Sequence, residues 1–205
     1  MLVVNAALSA GIPWPGAAAE PVRLLALGDS LTAGLGLTRE AAFPARLEQA
    51  LKSAGVDADV IDAGVSGDTT AGGLARLDWA LAEAPFAVIV ALGGNDGLRG
   101  LNPEMTFANL DAILAKLKAK GIGVLLAGMK APPNLGREYG REFAAVFPRL
   151  AEKHAVPLYP FFLEGVAARP KLNQDDLIHP NALGVDVIVA GFIPYVKVLL
   201  GSQGR

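Results

Sequence analysis

The chain has no cysteine and only two histidines, His154 and His179, among its 205 residues. Without cysteine, disulfides and thiolate metal centres are excluded. The redox compartment stays open, because an oxidising compartment permits disulfides without requiring them. Two histidines fall short of the His and Asp ligand set of a two-metal hydrolytic centre, so such a centre is not expected. Charge is scarce as well. Charged residues make up 19% of the chain, the net charge is −2, and no basic cluster stands out. Sequence-independent nucleic-acid binding needs clustered Lys and Arg, so nucleic acid is not an expected partner.

Long apolar runs are missing after residue 20. The nearest approach, "VDVIVAGFIPYVKVLLG" from Val185, is interrupted by Asp186, Pro194 and Lys197. A membrane span needs about 18 or more apolar residues, so this stretch reads as a core-packed helix and stable membrane insertion is not expected. The first 19 residues, "MLVVNAALSAGIPWPGAAA", carry no charged side chain. Leu2 to Ile12 forms a short apolar stretch, and Ala17, Ala18 and Ala19 fit a small-residue cleavage site before Glu20, although no Lys or Arg precedes them. The expectation is a secretion signal over residues 1–19 and a periplasmic or secreted protein. The alternative is a disordered leader on a cytoplasmic one. Residues 20–205 suit one domain with a full hydrophobic core.

What the chain does have is apolar residues, 52% of the total, with a mean hydropathy of +0.40. That suits a sheet buried on both faces, whose strands read as continuous apolar runs. Five such runs occur: "VRLLALG" at 22, "DADVIDAG" at 57, "FAVIVALGG" at 86, "GVLLAGM" at 123 and "VPLYPFF" at 156. Helical stripes separate them. Phe43, Leu47, Leu51 and Ala54 make one; Leu74, Leu77 and Leu81 a second; Phe107, Leu110, Leu114 and Leu117 a third; Phe143, Val146, Phe147 and Leu150 a fourth; residues 181–200 a fifth, loosened by Gly191 and Pro194. The alternation predicts βαβ units, a parallel sheet with right-handed crossovers and an α/β fold. Ligands bind such sheets beyond the C-terminal strand ends, where this chain has "GDS", "GVSGD" and "GGND".

Ser30, in "LLALGDSLTAG", is either a nucleophile or the cap of a following helix. Gly34 and Gly36 make that following segment a poor helix, at about 1 kcal/mol each relative to Ala. No Gly-Lys-Ser/Thr phosphate loop is present, "GLGLTR" lacks the third glycine of a dinucleotide fingerprint, and Thr32 replaces the last glycine of a Gly-x-Ser-x-Gly elbow. A serine nucleophile needs a base and a group to orient that base. His154, in "AEKHAVP", reads as a surface residue favoured by the negative end of a helix. His179, in "NQDDLIHPNALG", follows Asp176 by three residues, a spacing at which a carboxylate can reach Nδ1 and leave Nε2 facing the serine; a local Asp cap beside a solvated imidazole explains the segment equally well. Acyl transfer also needs N–H donors for the developing oxyanion. The Gly67 N–H and the Asn95 amide are candidates, with ordinary Gly/Asn/Asp turns as the alternative.

Together, "GDSLTAG", "GVSGDTTAGG", "GGNDGLRG" and "DLIHPN" resemble the four blocks of the SGNH hydrolases, the GDSL esterases and lipases, in the family's order. "LGGNDGLRG", "VPLYPFF" and "QDDLIHPN" are similar to its bacterial branch of arylesterases, acyl-CoA thioesterases and lysophospholipases. The likeness runs from about Leu24 to about Lys197. It implies a three-layer, flavodoxin-like α/β/α fold with a five-stranded parallel sheet. By position it implies Ser30 as nucleophile, His179 as base and Asp176 as its orienting acid. The oxyanion hole would be the Ser30 N–H, the Gly67 N–H and the Asn95 side chain. The implied substrate is a small-molecule acyl ester or thioester, with no metal or cofactor. Asp62 stands where many relatives have Asn, and Asp175 is a neighbour that could compete with Asp176. Leu98 and Leu135 are expected to border the acyl pocket, and no exposed apolar stripe argues against a monomer. The rival readings are a short-chain carbohydrate or aryl deacetylase on the same site, a metal-dependent phosphoesterase echoed by "GD" and "GGND", and a non-catalytic module on the same fold.

Overall fold

A computed structural model of the chain describes residues 20–202; the expected secretion signal over residues 1–19 lies outside them. The apolar runs form five strands, β1 (Val22–Gly28), β2 (Ala58–Gly64), β3 (Ala87–Ala91), β4 (Gly123–Ala127) and β5 (Leu158–Tyr159). They make one sheet in the order β2-β1-β3-β4-β5, and every pairing is parallel. This is the flavodoxin-like order, with its topological switch point between β1 and β3. β3 and β4 are buried along their whole length, as expected of central strands covered on both faces. The fifth run yields only two paired residues. Pro157 and Pro160 bracket them, and proline has no N–H to extend a ladder.

Among the described residues, eight α-helices connect and cover the strands: α1 (Ser30–Ala33), α2 (Phe43–Ser53), α3 (Thr70–Ala75), α4 (Leu77–Ala80), α5 (Gly94–Leu98), α6 (Pro103–Ala119), α7 (Arg137–His154) and α8 (Ala182–Ser202). α2 packs on α8, and α6 packs on α3 and α7. The sheet lies between these two groups. The Leu74–Leu81 stripe is divided into α3, α4 and a 3₁₀ turn rather than forming one helix. Arg76 interrupts it with φ −98° and ψ 3°, and its guanidinium reaches back to Asp68 at 2.7 Å and to the Gly28 carbonyl at 2.9 Å.

α8 runs unbroken past Gly191 and Pro194. By length and composition, Ala182–Gly201 could cross a membrane, with 44% of its most apolar window buried. In this fold it lies on α2 and β4. Gly191 also brings α8 close to the end of β5, since a Cβ there would come within 2.3 Å of the Tyr159 hydroxyl. From α8, Phe192 meets Phe43 at 5.0 Å and Phe162 at 5.4 Å between ring centroids, edge-on contacts that add to area burial. Because Phe192 is fully buried, Phe192→Ala is expected to cost about 3–5 kcal/mol through lost transfer energy and a residual cavity. Urea unfolding checks this as a lower midpoint at an unchanged slope.

Candidate active site

β1 stops at Gly28, whose added Cβ would lie 2.0 Å from Thr32 Oγ1, so only glycine lets α1 fold back this tightly. The cap of α1 is Asp29, whose Oδ1 accepts the Leu31 N–H at 3.0 Å. Ser30 is the first helical residue and is free of that task. Its Oγ lies 2.9 Å from His179 Nε2, across 149 residues of sequence. His179 Nδ1 lies 2.6 Å from Asp176 Oδ2, while Asp176 Oδ1 accepts the backbone N–H groups of Ile178 and His179, each at 2.9 Å. The His179 hydrogen bond first, and the two backbone donors next, hold Asp176 down to about 2. An ionised carboxylate only accepts, so Nδ1–H donates to Asp176 and, in the neutral imidazole, Nε2 accepts the Ser30 O–H. Gln174 fastens this loop, donating from Nε2 to the carbonyls of Leu35 at 2.7 Å and Pro180 at 3.0 Å.

The expected oxyanion donors lie at the neighbouring strand ends. Gly67 sits in the turn after β2 at φ +83°, a left-handed conformation that strains any other residue, and its carbonyl accepts from Arg99 Nη2 at 2.9 Å. Asn95 stands in the first turn of α5 after β3, and its Nδ2 donates to Asp29 Oδ2 at 3.3 Å. A buried network joins the two segments. Asp96, 2% exposed, accepts the Thr70 N–H at 2.9 Å, the Thr70 hydroxyl at 2.5 Å and the Thr106 hydroxyl at 3.3 Å. Neither Asp96 nor Asp29 stands out in the sequence as a site residue. The only signal for either was its place within "GGND" or "GDS".

Ser30, Gly67, Asn95 and His179 share one cleft of about 270 Å³. Its other walls are mainly apolar, with Leu31, Leu35, Leu98, Met129, Phe161, Leu163 and Ile178. Leu98 therefore borders the cleft as expected. Leu135 does not; it lies in the 3₁₀ turn Pro133–Leu135, against Gly100. Phe161 and Leu163, which do line the cleft, come just after β5. A larger groove of about 420 Å³ runs along β2 between Arg39 and Asp62, away from the serine and histidine. Asp62 spends one oxygen on the Gly64 N–H at 2.8 Å.

His154 ends α7 as expected, but it is buried rather than on the surface. Its Nε2 meets Asp111 Oδ1 of α6 at 2.6 Å, a structural pair remote from the cleft lining. Among the described residues, no group of three or more His, Asp or Glu is placed to hold a metal ion.

A serine hydroxyl on an imidazole, itself held by a carboxylate, at the C-terminal edge of a parallel sheet defines the class of the serine hydrolases that work by acyl transfer. Comparison with known proteins narrows it. Residues 26–187 match the GDSL-like lipase/acylhydrolase family. The chain is 43% identical over 178 residues to esterase TesA of Pseudomonas aeruginosa, covering 86% of this chain and 89% of that protein. It is 46% identical over 165 residues to thioesterase 1/protease 1/lysophospholipase L1 of Escherichia coli K12, covering 80% and 78%. The crystal structure of AlinE4, an SGNH-hydrolase family esterase, superposes with a TM-score of 0.76 at 50% identity, over 90% of this chain and 99% of that one. The chain belongs to the GDSL-like lipase/acylhydrolase family and is a hydrolase.

Proposed function

We propose that the chain hydrolyses carboxylic ester or thioester bonds of small acyl substrates through Ser30, His179 and Asp176. The observation that carries this reading is the continuous hydrogen-bonded path from Ser30 Oγ through His179 to Asp176 at the wall of an apolar cleft. Ser30 attacks the acyl carbonyl while Nε2 of His179 takes its proton. The carbonyl oxygen becomes an oxyanion facing the Ser30 N–H, the Gly67 N–H and the Asn95 amide. His179 then protonates the leaving alcohol or thiol, and water repeats the sequence to free the acid. The Ser30 N–H is available because the first N–H groups of a helix have no partner within it. The cleft walls suit an acyl chain. The setting is the periplasm or the exterior, on the strength of the leader pattern over residues 1–19.

The test is a panel of acyl-CoAs and p-nitrophenyl esters from two to sixteen carbons, run with EDTA. Serine-dependent turnover indifferent to EDTA is expected. Activity abolished by EDTA would put a metal-dependent phosphoesterase-like site in its place, and a peak at two carbons would favour a deacetylase. Asn95→Ala should keep the fold and lower kcat roughly 10²–10³-fold, as for the loss of one oxyanion donor elsewhere. A mutant as fast as the wild type removes Asn95 from the mechanism.

A further inference from the structure

Asp29 is the most buried carboxylate beside the cleft, at 1% exposure, and the mechanism above gives it no step. Both its oxygens are engaged. Oδ1 accepts the Leu31 N–H at 3.0 Å and Oδ2 accepts Asn95 Nδ2 at 3.3 Å. The approach to Asn95 is built in, because Gly94 leaves room that a Cβ would fill at 2.9 Å from Asp29 Oδ2. Burial is the main influence on this carboxyl and pushes it up to about 6, against the Leu31 N–H, the Asn95 amide and His179, which hold it down. At neutral pH it is therefore ionised, an acceptor only.

Resting on the reading of Asn95 as an oxyanion donor, we infer that Asp29 is a positioning residue, whose carboxylate holds the Asn95 amide with its nitrogen toward the serine. An isolated amide can turn its oxygen or its nitrogen to the cleft. A carboxylate partner accepts only from Nδ2, which fixes the orientation and leaves the second N–H of the same nitrogen for the oxyanion. One side chain thereby ties the end of β1, the start of α1 and the start of α5 into one geometry. An amide turned the other way would present its oxygen to a developing negative charge.

Asp29→Asn tests this, because an asparagine has one oxygen where both are used. If that oxygen keeps the Leu31 cap, an NH₂ group faces Asn95 and turns its amide over. kcat should fall about 10–100-fold with KM within about twofold, the scale of a misplaced catalytic group. Asp29→Ser retains a good capping oxygen but loses the second acceptor, and should show the same loss. The cycle is completed in an Asn95→Ala background, where Asp29→Asn should change kcat by less than about threefold, because the group it positions is gone. A merely structural role would give the same loss in both backgrounds, or a loss confined to KM, and either result overturns the inference. So does wild-type kcat in Asp29→Ser. If Asn95→Ala itself keeps the wild-type rate, the donor role falls and this inference with it. Activity surviving Ser30→Ala is a separate result, which removes the serine mechanism itself.

Discussion

Ser30→Ala is expected to lower kcat by roughly 10⁶-fold, the scale seen when a triad serine is removed elsewhere. The structure says why the loss should be so complete. Among the described residues, no second hydroxyl is hydrogen-bonded to His179 Nε2; Ser30 Oγ holds that position at 2.9 Å. Because the cap of α1 is Asp29 rather than Ser30, the substitution removes no helix-capping bond, and the folded protein should melt close to the wild type. Stability and activity are thus separated in one variant. Removing the serine and its base together should cost little more than removing the serine alone, since groups that act as one unit are strongly non-additive. Single-turnover hydrolysis of a p-nitrophenyl ester, compared with thermal unfolding of the same samples, checks both halves.

Asp176→Ala should have the next largest effect, roughly 10⁴-fold in kcat. Asp176 fixes the His179 tautomer through Nδ1 and also accepts two backbone N–H groups of its own loop. Its loss frees the imidazole to turn and to carry its proton on Nε2, which would then face Ser30 with a donor instead of an acceptor. The pH dependence has a definite sign. Asp176 is held down to about 2 in the folded protein, below an ordinary aspartate near 3.9. Its ionised form therefore favours the fold above the ordinary carboxylate value, and that contribution is lost only as the pH falls from about 4 toward about 2. The side chain is 44% exposed, so solvent screening keeps the contribution to overall stability small. Across the neutral range the orienting contact should persist unchanged. An Asp175→Ala variant is the control, because the carboxylate that meets the imidazole belongs to its neighbour.

The strands and their parallel pairing were legible because the runs are local: short, apolar, ending at Gly or Pro, in a pattern that parallel sheets impose, whereas the flavodoxin-like topology came from the family resemblance. The triad was legible for a different reason. Ser30 and His179 lie 149 residues apart; two histidines in the chain kept the search for a base short, but the segment around His179 read equally well as a local Asp cap, and only the four ordered blocks of the family resemblance joined it to Ser30. What pattern could not show were partners joined only by folding. His154 pairs with Asp111, 43 residues away, so its burial has no local signature. Asp96 reaches Thr70 over 26 residues, and an aspartate in a Gly-Gly-Asn-Asp turn reads as ordinary turn chemistry. Leu135 was placed at the cleft by its loop, yet the chain turns it toward Gly100. The stripe from Leu74 to Leu81 has helical spacing, but Arg76 leaves the helix to bond the end of β1, a tertiary demand that overrides periodicity.

The most direct test of the account is covalent labelling of the wild-type chain with an alkyl p-nitrophenyl phosphonate, followed by intact mass and peptide mapping. One phosphonyl group per chain is expected, located on Ser30, with hydrolytic activity lost in proportion to labelling and no reaction in Ser30→Ala. Full activity in a chain that resists the reagent, or a label on any other residue with activity lost, would contradict it.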